Sequence, residues 1–364
     1  MRCAWVGYGR SGDPRHIGGQ QALMRRLGRF LGERGSQVDF LVLGDREETC
    51  PWQRWGQVRV FLALPALLGA LKGSYDLVVF TRFPLRMYPP LLRFLSRRPA
   101  TQVLAYFYLV WPSRALSRLA RRILFRFLDV VAATSPRLLQ EAQRAGVRSF
   151  LSLPPVPDAY FEIGAERLAN PSQRVRAGYI GRIAPDKGVR EVLSALSDLG
   201  DRAPHGSPLV CGYWDPHDLE ARALHEALAQ ALGAAYVGQP ASEALGDELE
   251  AERRVAACLA QMDVLLLPYR ALDNVTLDTP LLLLEAMACG CGVLTAPVAD
   301  LPTLLSVPEA FVQEGTTVRH ALHRLLSEDE LLRSLRDRLY KRALELDFRL
   351  SRVGERFLKG VERR

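Results

Sequence analysis

The sequence predicts an α/β protein with two doubly wound domains, each built on a parallel sheet that helices cover on both faces. Three observations support this fold class. The chain has 364 residues, which is long enough for two domains of ordinary size. Short apolar strands alternate with helical patterns, and the alternation begins again after the middle of the chain. Turn-forming stretches that contain proline, at 153–157 and 170–173, predict a linker between about 152 and 173.

The first half begins with an apolar strand at 3–8 and a helix at 20–34. Leu23, Leu27 and Phe30 share one face of that helix, which is the spacing of an amphipathic helix. Further apolar runs, most of them followed by helical stretches, predict strands at 38–43, 77–80, 102–108 and 130–134. This order is typical of a parallel sheet with helical crossovers.

The second half repeats the pattern. The apolar runs predict strands at 175–180, 208–212, 234–237, 263–267 and 292–296, and helices at 317–326, 328–345 and 350–362. In doubly wound domains ligands bind at the carboxyl ends of the strands. We therefore look for functional residues directly after these strands.

Composition narrows the class of protein. With 48% hydrophobic and 24% charged residues the chain is globular, and no apolar run approaches the roughly 18–20 residues of a membrane-spanning helix. The first residues lack the apolar stretch of a signal peptide, which favours a cytoplasmic location. The six cysteines form no Cys-x-x-Cys pair and lie near no histidine cluster, so we expect reduced thiols and no metal site.

The first candidate site follows the predicted strand at 175–180. The segment 178–188 contains Arg182 and Lys187 five positions apart, just after Gly181. Arginine offers a planar fork for paired oxygens and lysine a compact charge, a combination that suits a diphosphate. Lys187 is one of only four lysines in the chain. The alternative interpretation is a cation on a solvated turn.

The second candidate site follows the strand at 263–267. Thr279 and Pro280 are typical of an N-cap and a first helical position. The N–H groups at Leu281 and Leu282 would then face a phosphate, because a helix start carries unpaired donors and a partial positive charge. Glu285, further along the helix, would accept hydrogen bonds from a ribose. An ordinary strand–loop–helix unit is the alternative.

Two glycine motifs occur near the N-terminus. Residues 7–12 match Gly-x-Gly-x-x-Gly after a strand, the basis of an alternative reading as an NAD-dependent oxidoreductase. Asp13-Pro14 follows the motif, however, and the helical pattern begins only near Gly18. Gly18 and Gly19 open that helix, where bare backbone N–H groups can approach an anion or a sugar.

Together, the motifs at 178–188 and 263–290 resemble the C-terminal domain of retaining glycosyltransferases of family 4, which have the GT-B fold. The resemblance implies a metal-independent hexosyltransferase that uses a nucleotide sugar, with UDP favoured over GDP, needs no cofactor and transfers to a sugar or lipid-linked acceptor. It implies an acceptor-side domain at 1–160, a nucleotide-sugar-binding domain at 161–344, and a helix at about 345–364 that packs back on the first domain. The catalytic residues implied are Arg182, Lys187 and Asp278, and the donor-binding residues are Gly18, Gly19, Gly181, Thr279, Leu281, Leu282 and Glu285.

The chain departs from the family pattern at the sugar contacts. Leu277 stands where relatives place a second glutamate, with Asp278 beside it either to bind a sugar hydroxyl or to cap the helix. The histidine that usually follows the strand at 102–106 is absent, and Tyr106 and Tyr108 lie in that neighbourhood. These departures support an alternative function, a GT-B protein that binds a nucleotide sugar without transferring it.

Charge is divided unevenly between the halves. Residues 1–150 carry 24 Lys+Arg and 9 Asp+Glu, a net charge of +15, within a whole-chain charge of +8. At helical spacing, the arginines of 111–127 fall on one face, and they are Arg114, Arg118, Arg121, Arg122 and Arg126. Apolar residues, Ile123 among them, lie opposite. With Tyr106 and Tyr108, this face predicts a lipid acceptor and peripheral binding to an anionic membrane at the inner face of the cell membrane. A solvated basic face is the alternative. We expect no nucleic-acid partner, because the sequence contains no recognisable nucleic-acid-binding motif.

Overall fold

The structure, a computed structural model, describes most of the chain. It leaves out residues 10–13, 15–17, 73–74, 82–86, 98–102, 107–109, 113–114, 173, 200–207, 241–247, 271–274, 278 and 363–364. Side chains are also not described for residues 103–106, 110–112, 115–118, 198, 248–249 and 275–277.

Strands and helices alternate along the chain. The strands are β1 (Arg2–Tyr8), β2 (Gln37–Leu43), β3 (Glu48–Trp52), β4 (Gly56–Phe61), β5 (Leu77–Phe80), β6 (Val103–Tyr106), β7 (Val110–Pro112), β8 (Val130–Ala133), β9 (Arg148–Leu151), β10 (Ala177–Arg182), β11 (Leu209–Trp214), β12 (Tyr236–Pro240), β13 (Val264–Leu267), β14 (Val275–Leu277) and β15 (Gly292–Thr295). The helices are α1 (Gly19–Glu33), α2 (Leu64–Ala70), α3 (Tyr88–Leu95), α4 (Ala115–Phe125), α5 (Pro136–Arg144), α6 (Asp158–Ala169), α7 (Val189–Leu196), α8 (Leu219–Leu232), α9 (Glu248–Ala260), α10 (Leu281–Ala288), α11 (Leu301–Leu305), α12 (Val318–Ser327), α13 (Asp329–Leu346) and α14 (Leu350–Glu362).

The chain divides into two compact units. The first unit contains Met1–Pro155, Asp273–Thr279 and Phe348–Arg364, and the second contains Val156–Leu272 and Pro280–Asp347. Two short segments therefore return to the first unit from late in the sequence. One of them carries β14, which pairs antiparallel with β7, and the other carries α14.

The first unit is built on an eight-stranded sheet in the order β3-β4-β2-β1-β5-β6-β8-β9. All neighbours in it are parallel except β3 and β4, which form an antiparallel pair at one edge. The returning helix α14 packs on α1, where Gly354 lies so close to Phe30 that an added Cβ would stand 2.4 Å from the ring. Phe357 of the same helix stacks on Trp5 with ring centroids 6.1 Å apart. The last helix is thus part of the core of this unit.

The second unit is built on a five-stranded sheet in the order β12-β11-β10-β13-β15, with all neighbours parallel. The strands β13 and β15 are completely buried, as expected for a sheet covered on both faces. Because the strands are parallel, their carboxyl ends share one edge of the sheet.

The predicted α/β class is confirmed, and most predicted strands and helices agree with the structure to within a few residues. The antiparallel edge pair of β3 and β4 was not expected. Its segment, 48–61, mixes charged residues, proline and tryptophan, so no apolar run marks it. Of the predicted strand at 102–108, the described residues Val103–Tyr106 form β6, and the others lie outside the described part. Within the described part, no helix is both long and apolar enough to cross a membrane.

A buried ion cluster connects three elements of the second unit. The Asp263 carboxylate, 3% exposed, lies 3.2 Å from Arg167 Nη2 and 2.9 Å from Arg336 Nη1. The same carboxylate accepts a hydrogen bond from the Arg176 backbone N–H at 2.9 Å. Arg167 belongs to α6 and Arg336 to α13, so one carboxylate at the start of β13 holds both helices.

We expect Asp263→Asn to destabilise the protein by about 3–5 kcal/mol, because it leaves buried guanidinium groups without their counter-ion. Denaturant unfolding measures this loss. The matched control is Asp337→Asn, which removes an exposed carboxylate that pairs with Lys341 at 2.6 Å within α13. That change should cost less than about 1 kcal/mol. Equal losses in the two variants would contradict the structural role assigned to Asp263.

Candidate functional site

The candidate site of the second unit starts at the carboxyl end of β10. The strand ends at Arg182, and a single 3-10 turn, Pro185–Lys187, leads through Gly188 into α7. Gly188 has φ +69°, and an added Cβ would stand 2.1 Å from the carbonyl oxygen of Pro268. Only glycine fits there. This close approach sets the turn against the end of β13.

Arg182 is held by a neighbouring carboxylate. Its Nη2 donates to both oxygens of Asp186, at 2.8 and 2.7 Å, and its side chain is 45% exposed. The Tyr179 hydroxyl donates to the Arg182 carbonyl at 2.7 Å, which fixes the backbone at this point. The turn therefore presents two cations and one anion, Asp186, whose role the sequence analysis did not identify.

Lys187 is not a fully solvated cation. Its Nζ lies 3.8 Å from Asp186 Oδ2 and 5.2 Å from the centroid of the Tyr269 ring, and its side chain is 27% exposed. Burial lowers the pKa of Lys187, and the charge of Asp186 acts in the opposite direction. A cation that is partly removed from water in this way gains more from a bound anion than an exposed one does.

Tyr269 connects the two predicted motifs. It follows β13 directly, and its backbone N–H donates to the Leu267 carbonyl at 2.7 Å. Burial raises the pKa of Tyr269, and the charges of Glu285 and Asp186 raise it further. Its ring lies beside Lys187. The turn after β10 and the helix α10 are thus brought to one place at the carboxyl edge of the sheet.

The start of α10 differs from the prediction. Pro280 is the N-cap and the helix begins at Leu281, so the expected N-cap role of Thr279 is wrong. The Thr279 hydroxyl instead donates to the Thr134 carbonyl at 2.9 Å, a partner that lies far away in the sequence. Leu281 and Leu282 occupy the first positions of the helix, where N–H groups have no intrahelical acceptor. Glu285, one turn on, is buried.

Several predicted residues lie elsewhere or outside the described part. Gly18 is the N-cap of α1 and Gly19 its first residue, both in the first unit. Gly181 lies in β10 with φ +140°, and an added Cβ would stand 3.2 Å from the Tyr179 hydroxyl oxygen. Residues Asp278, Tyr108 and Arg114, and the side chains of Tyr106 and Arg118, lie outside the described part.

The predicted arginine face of α4 needs two corrections. Arg121 is buried and lies 3.5 Å from Glu141 of α5, so it belongs to the interior. Ile123, predicted to lie opposite the arginine face, is 41% exposed, and Leu119 is 55% exposed. The exposed side chains of this helix are therefore both basic and apolar, since Arg122 is exposed as well.

The residues that the sequence analysis missed are mainly aromatic. Tyr213 lies one residue before the end of β11 and Tyr269 lies two residues after β13, whereas Tyr179 lies in the middle of β10 and reaches the strand end through its hydroxyl. Burial raises the pKa of all three tyrosines. The charges of Arg182 and Asp186 act on both Tyr179 and Tyr213. A tyrosine at the end of a predicted strand was the available signal. No group of three or more His, Cys, Asp or Glu that could hold a metal occurs among the described residues.

Residues 174–328 match the family described as glycosyl transferases group 1. A comparison with curated protein sequences gave no match.

Among solved structures, sucrose-phosphate synthase from Thermosynechococcus elongatus superimposes with a TM-score of 0.72 at 17% identity, over 99% of this chain and 98% of that one. Anabaena HepE in complex with UDP-glucose gives a TM-score of 0.65 at 16% identity, over 99% of both chains. The α,α-trehalose 6-phosphate synthase of Burkholderia multivorans gives 0.63 at 14% identity, over 99% and 98%. The fold is therefore GT-B, and the family match of the second unit supports a glycosyltransferase.

Proposed function

We propose that the protein is a retaining glycosyltransferase that moves a sugar from a nucleoside diphosphate to an acceptor. The observation that carries the proposal is the meeting of two motifs at one sheet edge. Arg182 and Lys187 lie on the turn after β10, and Tyr269 places that turn beside the helix that bears Glu285. The group 1 family match covers this part of the chain.

In this proposal the two cations stabilise the leaving diphosphate. Negative charge grows on the leaving phosphate as the glycosidic bond breaks, so Lys187 and Arg182 interact more strongly with the transition state than with the ground state. Asp186 holds the Arg182 guanidinium in place before the donor binds. The N–H groups of Leu281 and Leu282 add to the stabilisation.

The donor is a UDP-sugar in this proposal. HepE, which has the same fold, was solved with UDP and with UDP-glucose. Glu285 would accept hydrogen bonds from the ribose hydroxyls, and Gly181 would belong to the same donor-binding set. The reaction needs no metal and no covalent intermediate, because the departing phosphate takes the acceptor proton on the same face.

Asp278 would bind a hydroxyl of the transferred sugar, in place of the glutamate that Leu277 replaces. The Asp278→Asn variant keeps the shape of the side chain and removes its charge. Unchanged turnover in this variant would remove Asp278 from the proposed site.

We expect Lys187→Met to reduce turnover by roughly 10²–10³, by analogy with the loss of one oxyanion donor. Release of UDP from a mixed pool of UDP-sugars, in the presence of candidate acceptors, measures turnover. The matched control is Lys341→Met, which removes an exposed lysine of α13 that pairs with Asp337. Normal turnover by Lys187→Met would contradict the proposed role of Lys187 in stabilising the leaving diphosphate.

A second function is a GT-B protein that binds a nucleotide sugar and does not transfer it, because Leu277 replaces a glutamate of the family pattern. Thermal shift with UDP, GDP, dTDP and NAD separates the candidates. We expect UDP to raise the stability by about 2.7 kcal/mol at 100 times its Kd. A shift with NAD alone would instead favour the oxidoreductase. A shift with UDP in a protein that shows no turnover would favour the GT-B protein that binds a nucleotide sugar without transferring it.

We also propose that the first unit binds an anionic membrane surface through α4, and that the acceptor is lipid-linked. Leu119 and Ile123 are exposed one helical turn apart, next to the exposed Arg122 and Arg126. Apolar side chains can insert shallowly between headgroups while neighbouring cations bind the anionic lipid, at about 1 kcal/mol per cation. The buried Arg121 does not contribute.

Co-sedimentation with vesicles of phosphatidylglycerol and phosphatidylcholine tests the membrane proposal. We expect wild-type protein in the pellet at 0.1 M salt and less of it at 1 M, since the Debye length falls from about 10 Å to about 3 Å. Arg122→Glu/Arg126→Glu and Leu119→Gln/Ile123→Gln should each remain in solution. The control Arg222→Glu/Arg253→Glu changes two exposed arginines of the second unit. Wild-type protein in the supernatant at low salt would show that the face is only solvated surface.

A further inference from the structure

Two cysteines of the second unit are in direct contact. Cys211 lies in β11 and Cys258 in α9, 47 residues apart in sequence, and their Sγ atoms are 3.1 Å apart. The spacing of the cysteines along the chain did not predict this contact, and both thiols are free. Cys211 is fixed by the sheet, since it pairs in register with Ile180 on one side and Val237 on the other.

The pair differs in exposure from three of the other cysteines. Both side chains are partly exposed, whereas Cys3, Cys289 and Cys291 are buried. Burial raises the pKa of Cys3 to about 12 and also raises the pKa of Cys289 and Cys291, which keeps these thiols protonated and inert.

A hydrogen bond links the two thiols of the pair. This bond lowers the pKa of Cys258 to about 7, against a smaller opposing effect of burial. The same bond, together with burial, raises the pKa of Cys211. The hydrogen bond therefore favours loss of the first proton from Cys258, and the resulting thiolate is the form that attacks oxidants.

We propose that Cys211 and Cys258 form a reversible modification site, in which a hydroperoxide oxidises the contacting thiols of β11 and α9 to an intramolecular disulfide. The inference rests on the Sγ–Sγ contact and on the partial exposure of both side chains. It does not depend on the proposed transferase function. A disulfide requires Sγ atoms about 2.05 Å apart, so the two sulfur atoms must approach each other by about 1 Å.

The chemistry balances with one molecule of hydrogen peroxide. The Cys258 thiolate attacks one peroxide oxygen, the O–O bond breaks, and hydroxide leaves and takes up a proton to give water and a sulfenic acid. The Cys211 sulfur then attacks the Cys258 sulfur, an S–S bond forms, and a second hydroxide leaves, taking the Cys211 proton. Two thiols lose two electrons and two protons, and the peroxide is reduced to two molecules of water.

Mass spectrometry of the full-length protein tests the site. Reduced protein is treated with hydrogen peroxide and unfolded in iodoacetamide, and the labels are counted. We expect two fewer labels than the six of the reduced protein, and peptide mapping should show a Cys211–Cys258 link. Dithiothreitol should restore all six. Six labels after peroxide, or a link between other cysteines, would overturn the inference without bearing on the transferase proposal.

Three variants serve as controls. Cys211→Ser should leave Cys258 as a sulfenic acid that dimedone traps, and Cys258→Ser should form no disulfide. Cys50→Ser changes the partly exposed cysteine of the first unit and should form the disulfide as the wild type does. Because the mapping on wild-type protein needs no substitution, an unstable variant does not weaken the test. A disulfide in Cys258→Ser would contradict the assignment.

Discussion

The second unit depends on one buried carboxylate, that of Asp263. It lies within 3.2 Å of two guanidinium groups and also accepts a hydrogen bond from the backbone N–H of Arg176. Burying a charge is costly unless it is paired and hydrogen-bonded, and here each ion has several partners. Arg167 also donates to the carbonyls of Met262, Leu259 and Cys289, and Arg336 to that of Gly290. The cluster therefore connects β13, α6 and α13 with the end of α10.

This connection places the candidate site. Because Arg167 and Arg336 hold the residues that follow α10, the position of that helix is set from its C-terminal end. A close backbone contact between α6 and α10 also fixes the position of α10, since an added Cβ on Gly164 would stand 2.1 Å from the Ala288 carbonyl oxygen. Glu285 and the helix start then lie at a fixed distance from β13, beside Tyr269. Gly188 in turn allows the turn that carries Arg182 and Lys187 to lie directly against Pro268, at the end of β13.

The sequence predicted the parts that depend on local pattern. The strand at 77–80 and the helix at 350–362 agree with the structure residue by residue, because apolar periodicity alone defines them. The neighbouring glycines and turn-forming residues predicted that Arg182 and Lys187 lie on a turn after a strand. Contacts between distant residues were not predictable in this way. The ion pair of Arg121 with Glu141 and the contact of Cys211 with Cys258 arise from packing that periodicity does not encode.

The proposed function requires the turn after β10 and the start of α10 to bind the diphosphate of a nucleotide together. A crystal structure of the protein with UDP tests this most directly. We predict that the diphosphate oxygens lie within hydrogen-bonding distance of Lys187 Nζ and of the N–H groups at the start of α10, with the ribose at Glu285. UDP bound away from Lys187, or held by the turn without α10, would contradict the claim.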